Sequence, residues 1–409
     1  MACLIDAQAV PWASQGLDIH DTEERDMGYR AYGLSSLQEF LGGRVVYRNL
    51  IPSDRRLPSL ADLDGKLGLG GRVPRKAEPD YGRVVAKMLR EARALALPGT
   101  RIERLLFIGD TELNDGTAFR NICAAGAWPG WCFIGRDALA VPPARSIEGS
   151  MYSANRWSAL PAFLSYVEGR SFPLDERTAM IVDIDKTAIG ARGRNDQVIN
   201  EARVEGVQRT VANLLGEGFD EAAFSAAYCE LNQSPYFGLT ADNQDYLAYI
   251  CLILGAGLFQ LKDVVEAVGN GALRSFEGFI GEVQRRREEL ARSGLTSIHD
   301  EVWARARAGD PTPFKAFRHN EYLTTVARFG ELPGASPEAF LRQRIAITQE
   351  VRAAALALHD RGALLFGLSD KPDEASVPNE AQAQAGMVPL HELQTLVVGA
   401  IEEGQSYVP

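Results

Sequence analysis

Residues 179–187 read Ala-Met-Ile-Val-Asp-Ile-Asp-Lys-Thr. An apolar run gives way abruptly to two carboxylates and a hydroxyl, spaced two residues apart. A short, unbroken apolar run suits a strand buried on both faces. The acids that end it fall where an open α/β sheet binds its ligands, beyond the carboxyl ends of the strands. Two other runs are built the same way. Leu105-Leu106-Phe107-Ile108 stops at Gly109-Asp110 and continues Thr-Glu-Leu-Asn-Asp115, and Ala363–Leu368 stops at Ser369-Asp370.

Helical patterns lie between these runs. Tyr81, Val84, Val85, Met88 and Leu89 recur at helical spacing after Pro79-Asp80, a helix-start signal. A second helix is expected near 115–125, a strand at Trp131–Ile134, and a helix near 337–360 that ends at Gly362. This alternation predicts an α/β fold, a Rossmann-like parallel sheet. From 195 to 345 the β signal vanishes, and helices are expected at 197–215, 220–232, 243–267, 275–293, 298–308 and 316–329. Residues 1–75 are irregular apart from a β-like run at Val45–Tyr47; that run and Leu396–Val398 compete as the third core strand. Residues 136–178, marked by Pro142-Pro143, Pro161 and Pro173, read as a linker with a helix between Trp157 and Val167.

Composition narrows the class. The 409 residues carry 43 Lys+Arg against 54 Asp+Glu, a net charge of −11. That length suggests two or three domains of roughly 150 residues each. The acidic balance argues against a general nucleic-acid binder, which needs excess Lys and Arg to neutralise phosphates. Five scattered Cys form no CxxC pair and five His no HxH or HxxxH, so neither a disulfide framework nor a zinc site follows. No secretion signal is visible. The most apolar segment, Leu247–Phe259, is well short of the ~20 residues that cross a bilayer. A cytoplasmic protein with neither nucleic-acid nor membrane partner is expected.

If the three polar strand ends are neighbours, several carboxylates and a hydroxyl share one crevice. Like charges ~4 Å apart repel by roughly 4 kcal/mol per pair at an effective dielectric near 20. Such a cluster calls for a cation, and oxygen-only ligands select Mg²⁺.

Asp183-Ile-Asp185-Lys-Thr187 after its apolar strand resembles motif I, DxDxT, of the haloacid dehalogenase (HAD) superfamily. Ser369 at a strand end looks like motif II, and Gly109-Asp110-Thr-Glu-Leu-Asn-Asp115 is similar to the acidic motif IV. Lys76, in Arg-Lys-Ala-Glu-Pro-Asp before a helix, looks like motif III, although Ala77-Glu78 separates it from Pro79. The likeness spans the α/β portions and none of the helical insert. The family's order is I, II, III, IV; here III and IV come first. The chain therefore reads as a circularly permuted HAD domain, which is plausible because domain ends usually lie close together at the surface. The arrangement implied begins with an irregular segment contributing to the core (1–75). A core segment with motifs III and IV (76–135), the linker (136–178) and a core segment with motif I (179–194) follow. A large all-helical cap (195–345) and a last core segment with motif II (346–409) complete it. A competing arrangement, two incomplete halves in tandem, would use Asp18-Ile-His-Asp-Thr22 as a decayed first motif, but no apolar strand precedes it.

The resemblance implies roles. Asp183 is the nucleophile, and Asp185 protonates the leaving oxygen and then activates water, with its backbone carbonyl on the metal. Thr187 holds the loop in shape, and Ser369 bonds the phosphoryl oxygens. Asp183, Asp185, Asp110 and Asp115 form the Mg²⁺ site. Lys76 offsets phosphate charge, with Lys371 and Lys66 as rivals, and Asp370 is solvent-facing or a helix cap, with metal binding as the alternative. Arg192 and Arg194 are either solvated linker charges or a greeting for an anionic leaving group; Lys315, Arg318 and His319 form another basic cluster. The function expected is a Mg²⁺-dependent phosphatase of small phosphomonoesters, a phosphoric monoester hydrolase. The alternatives are a HAD-type transferase or mutase, or a catalytically idle domain that serves as a binding module.

Overall fold

Burial on both faces explains why the three central runs never alternate apolar with polar residues. In the computed structural model, which describes residues 28–401, the strands are β1 (Tyr29–Ser35), β2 (Val45–Val46), β3 (Arg104–Gly109), β4 (Gly130–Gly135), β5 (Arg145–Glu148), β6 (Met151–Ala154), β7 (Thr178–Asp183), β8 (Ile347–Thr348), β9 (Leu364–Leu368) and β10 (Thr395–Ala400). Seven of them form one sheet in the order β2-β9-β7-β3-β4-β6-β5, parallel except for β5 against β6. Leu105, Phe107, Ala179, Ile181, Leu364 and Phe366 pack into one core with Tyr81, Val84, Val85, Met88 and Leu89 of the helix Pro79–Ala96. The alternate residues, Leu106, Ile108, Met180, Val182 and Leu365, point to the opposite face and are equally buried. The α/β class expected from the sequence is therefore present.

The third core strand is Val45–Val46, which pairs with β9. Leu396–Val398 instead lies in β10, between β1 and β8 in a separate three-stranded sheet. Residues 136–178 hold more than a linker: β5, β6 and the helix Leu160–Gly169 extend the sheet and cover it, with Trp157 and Phe163 fully buried. The single helix expected over 337–360 is two, Pro337–Leu341 and Gln349–Asp360, because Ile347-Thr348 joins β10 as a strand. The Asp18–Thr22 stretch lies outside the described residues.

The described residues divide into two compact units, 203–324 in one and the rest in the other. The first is helical, as the vanished β signal predicts, with helices that include Glu221–Leu231, Gln244–Gly255, Leu261–Gly269, Phe276–Arg285 and Thr296–Arg307. Tyr236, Leu247, Tyr249, Phe276, Phe279 and Phe314 fill its own core. The Lys315–Arg318–His319 cluster is no basic surface there, because Arg318 is buried against Asp245 and Glu321. No described helix is long and apolar enough to cross a membrane.

Candidate metal and phosphoryl site

The chain leaves β7 toward β9 on one side of the sheet and runs from β3 toward β4 on the other. Adjacent strands whose connections depart in opposite directions open a crevice at their carboxyl ends. Asp183 is the last residue of β7, and Asp110 directly follows Gly109, the last of β3. The register Ile108↔Val182 sets these ends side by side.

Asp115 reaches the same place through a π-helical turn, Glu112–Gly116. Its Oδ2 accepts the backbone N–H groups of Asp110 and Thr111, both at 2.9 Å, and the Thr111 hydroxyl at 3.2 Å. The turn fits only because residue 109 is glycine: a Cβ there would lie 2.5 Å from the Asp115 side chain. One carboxylate oxygen from each of Asp110, Asp115 and Asp183 lies within 4.8 Å of the others.

Two organic cations enter this group. Lys76, in the turn before the helix Pro79–Ala96, is 4% exposed, and its Nζ donates to Asp115 Oδ1 and Asp183 Oδ1, each at 2.5 Å. Arg192 Nε donates to Asp110 Oδ2 at 2.6 Å. Of the three lysines weighed from the sequence, Lys76 is thus the one that bonds the acid group. Lys66 lies exposed on the helix Leu60–Leu67, and Lys371 is buried two residues beyond Ser369.

Charge is not balanced by these contacts. Burial, above all, pushes the Asp183 carboxyl up to about 7, with Lys76 opposing and Asp115 adding to the rise. Burial and then the charges of Asp115 and Asp183 hold Asp110 well above the ordinary carboxylate range, despite Arg192. Asp115 goes the other way. Burial works against its charge, but Lys76 and the hydrogen bonds from the 110–111 segment outweigh it and lower its pKa. Lys76 in turn is held firmly protonated, as Asp115 and Asp183 overcome its own burial.

The loop after Asp183 is tightly wound. Ala188 N–H donates to the Asp183 carbonyl, Ile189 N–H to Ile184 and Arg192 N–H to Lys186, whose φ is 63°. Thr187 braces this loop through its carbonyl, which accepts the Thr348 hydroxyl at 2.6 Å, while its own buried hydroxyl has no partner among the described residues. Asp185 is half-buried and its carboxylate stands outside the group of three, although its charge bears on both Asp183 and Tyr47. Ser369 follows Leu368, the register partner of Asp183. It is buried, its N–H donates to the Val46 carbonyl, and its Oγ accepts the Lys371 N–H at 3.0 Å. Asp370 is exposed.

The solvated-linker reading fails for Arg194 and holds only in part for Arg192. Arg192 is bound to Asp110, and Arg194 is buried in ion pairs with Asp137 at 2.8 Å and Glu350 at 2.9 Å, over the Tyr29 ring. Their partners lie far along the chain, so no local spacing signals them.

Three carboxylates with no thiolate or imidazole among them are a donor set suited to a hard divalent ion. The raised Asp110 and Asp183 point the same way: with Lys76 and Arg192 in place, the group still resists full ionisation, and a dication would supply the missing charge. No family model, curated protein or solved structure matches the chain.

Proposed function

We propose that this chain is a Mg²⁺-dependent phosphatase of small phosphomonoesters, a circularly permuted HAD-type hydrolase whose helical residues 203–324 stand in the sequence position of a cap. The observation that carries the reading is the meeting of Asp110, Asp115, Asp183 and Lys76 at the carboxyl ends of two adjacent parallel strands. The β2-β9-β7-β3-β4 order also sets the strand leading to Ser369 directly beside the strand of Asp183.

Lys76 grips Asp183 Oδ1 and fixes the rotation of that carboxylate, so Oδ2 attacks phosphorus in line with the leaving oxygen. The P–O bond to the alcohol breaks as the bond to Asp183 forms, and Asp185 gives the alcoholate its proton. Water then attacks the aspartyl-phosphate, losing its proton to Asp185, and phosphate leaves with Asp183 restored. Ser369 and Lys76 hold the equatorial oxygens. A Mg²⁺ bound by Asp110, Asp115, Asp183 and the Asp185 carbonyl would supply electrostatic stabilisation of the transferring group. An acid/base aspartate two residues after the nucleophile favours phosphoryl transfer over carbon–halogen cleavage, and water is the acceptor that needs no second recognition site.

Hydrolysis of p-nitrophenyl phosphate with and without Mg²⁺ tests this. Turnover should require the metal and fall by ~10³-fold or more in Asp183→Asn. Turnover at the wild-type level in that variant would place the nucleophile elsewhere.

A further inference from the structure

Arg192 is the cation at the acid group that the proposed chemistry leaves without a task. Its backbone is fixed at both ends: its N–H donates to Lys186, and its carbonyl accepts the Asp137 N–H at 2.9 Å and the Trp157 indole N–H at 3.2 Å. The side chain leaves this anchor and reaches Asp110 at 2.6 Å, with 24% of it exposed against 5% for Lys76. The guanidinium thus meets solvent on one side and Asp110 on the other, whereas Lys76 is enclosed between two carboxylates.

Arg192 holds Asp110 Oδ2, and a divalent ion that takes Asp110 as a ligand shares that carboxylate with the guanidinium. We propose that Arg192 exchanges partners, yielding Asp110 to the divalent cation and turning its guanidinium to the phosphoryl oxygens of the substrate. This inference rests on the metal-dependent phosphatase reading and adds a substrate-binding residue to it. A guanidinium suits the second role, because its planar fork matches phosphate oxygens in a way an ammonium cannot. Exchange also links the two ligands. Cation binding releases the group that phosphate needs, and reciprocity requires phosphate to tighten the cation in turn.

Titration calorimetry of Mg²⁺, and of inorganic phosphate in the presence of Mg²⁺, on wild type, Arg192→Gln, Arg192→Lys and Asp115→Asn separates the possibilities. Arg192→Gln should bind Mg²⁺ about fivefold or more tightly, because the competitor is gone, yet bind phosphate about tenfold more weakly. Arg192→Lys should fall between the two for phosphate. The backbone contacts of residue 192 survive the substitution, so Arg192→Gln should melt within a few degrees of wild type, which separates a binding effect from misfolding. Mg²⁺ affinity unchanged or reduced in Arg192→Gln, or phosphate affinity unchanged, overturns the exchange while leaving the metal site intact. Wild type that binds Mg²⁺ no better than Asp115→Asn would instead remove the metal site and both proposals together.

Discussion

At the scale of the residue, burial governs the site. Asp183 sits in a place that opposes its charge, and Lys76 only partly offsets this, leaving its pKa at about 7. A carboxyl raised in the folded state stabilises the fold most fully below the ordinary value near ~3.9, and that contribution disappears as pH rises through the folded value. In EDTA, therefore, the melting temperature of wild type relative to Asp183→Asn should fall as pH rises from about 4 through 7. Because a bound cation needs ionised ligands, the rise in melting temperature on adding Mg²⁺ should grow over the same window. A Mg²⁺ effect that is flat across it would contradict the assignment of Asp183 as a ligand. Gly109 supplies a second test at this scale. Gly109→Ala drives a methyl to 2.5 Å from Asp115, so it should cost about 1–3 kcal/mol in urea denaturation and weaken Mg²⁺ binding as Asp115 is displaced. A fully stable Gly109→Ala that binds Mg²⁺ as wild type does would show that the turn relaxes freely.

At the scale of the element, the loop between β7 and the following helix, Asp196–Leu215, does more than connect them. Gly193 has a φ of 77°, and a Cβ there would fall 1.9 Å from the Asp137 carbonyl oxygen. No other residue fits without moving one of the two backbones. Next to it, Arg194 joins Asp137, just past β4, to Glu350 on the helix Gln349–Asp360. Removing it leaves two buried carboxylates without their shared cation, so Arg194→Ala should lose roughly 3–5 kcal/mol of stability by urea denaturation. A loss under about 1 kcal/mol would mean that water reaches the pair.

The α/β elements are legible because each needs only local pattern. Strands β3, β4, β7 and β9 are continuous apolar runs, and Pro79-Asp80 marks its helix. What the sequence hides depends on distant partners. Ile347-Thr348 sits in a stretch with helical spacing, and becomes a strand by pairing with β10 some fifty residues on. The partner of Asp110, Arg192, is 82 residues away. Lys76 stands out from its place before a helix, but its joint hold on Asp115 and Asp183 follows only from the strand order.

At the scale of the whole molecule, the helical unit of residues 203–324 carries its own buried polar framework. Arg318 bonds Asp245 and Glu321, both wholly buried, and Glu321 also takes Arg203 at 3.1 Å. Such a network constrains helix register more than it stabilises. Arg318→Leu should strip Asp245 of its ion pair and Glu321 of one of its two cations, and lower stability by roughly 3–5 kcal/mol, followed by far-UV circular dichroism on heating. A melting curve that overlays wild type would contradict the network's role. The sheet-bearing unit, by contrast, is assembled from segments on either side of this insert, with β3 and β4 preceding β7 in the chain and β9 following the insert. Convergence of Asp110 and Asp183 therefore depends on sheet topology and not on chain proximity.

The most direct test of the proposed chemistry is to quench the protein with acid during turnover of p-nitrophenyl phosphate in Mg²⁺ and map the phosphoryl group by peptide mass spectrometry. The account predicts phosphate on the carboxylate of Asp183, absent in Asp183→Asn. A phosphoryl group on another residue, or turnover with no phosphorylated peptide at any time, would contradict it.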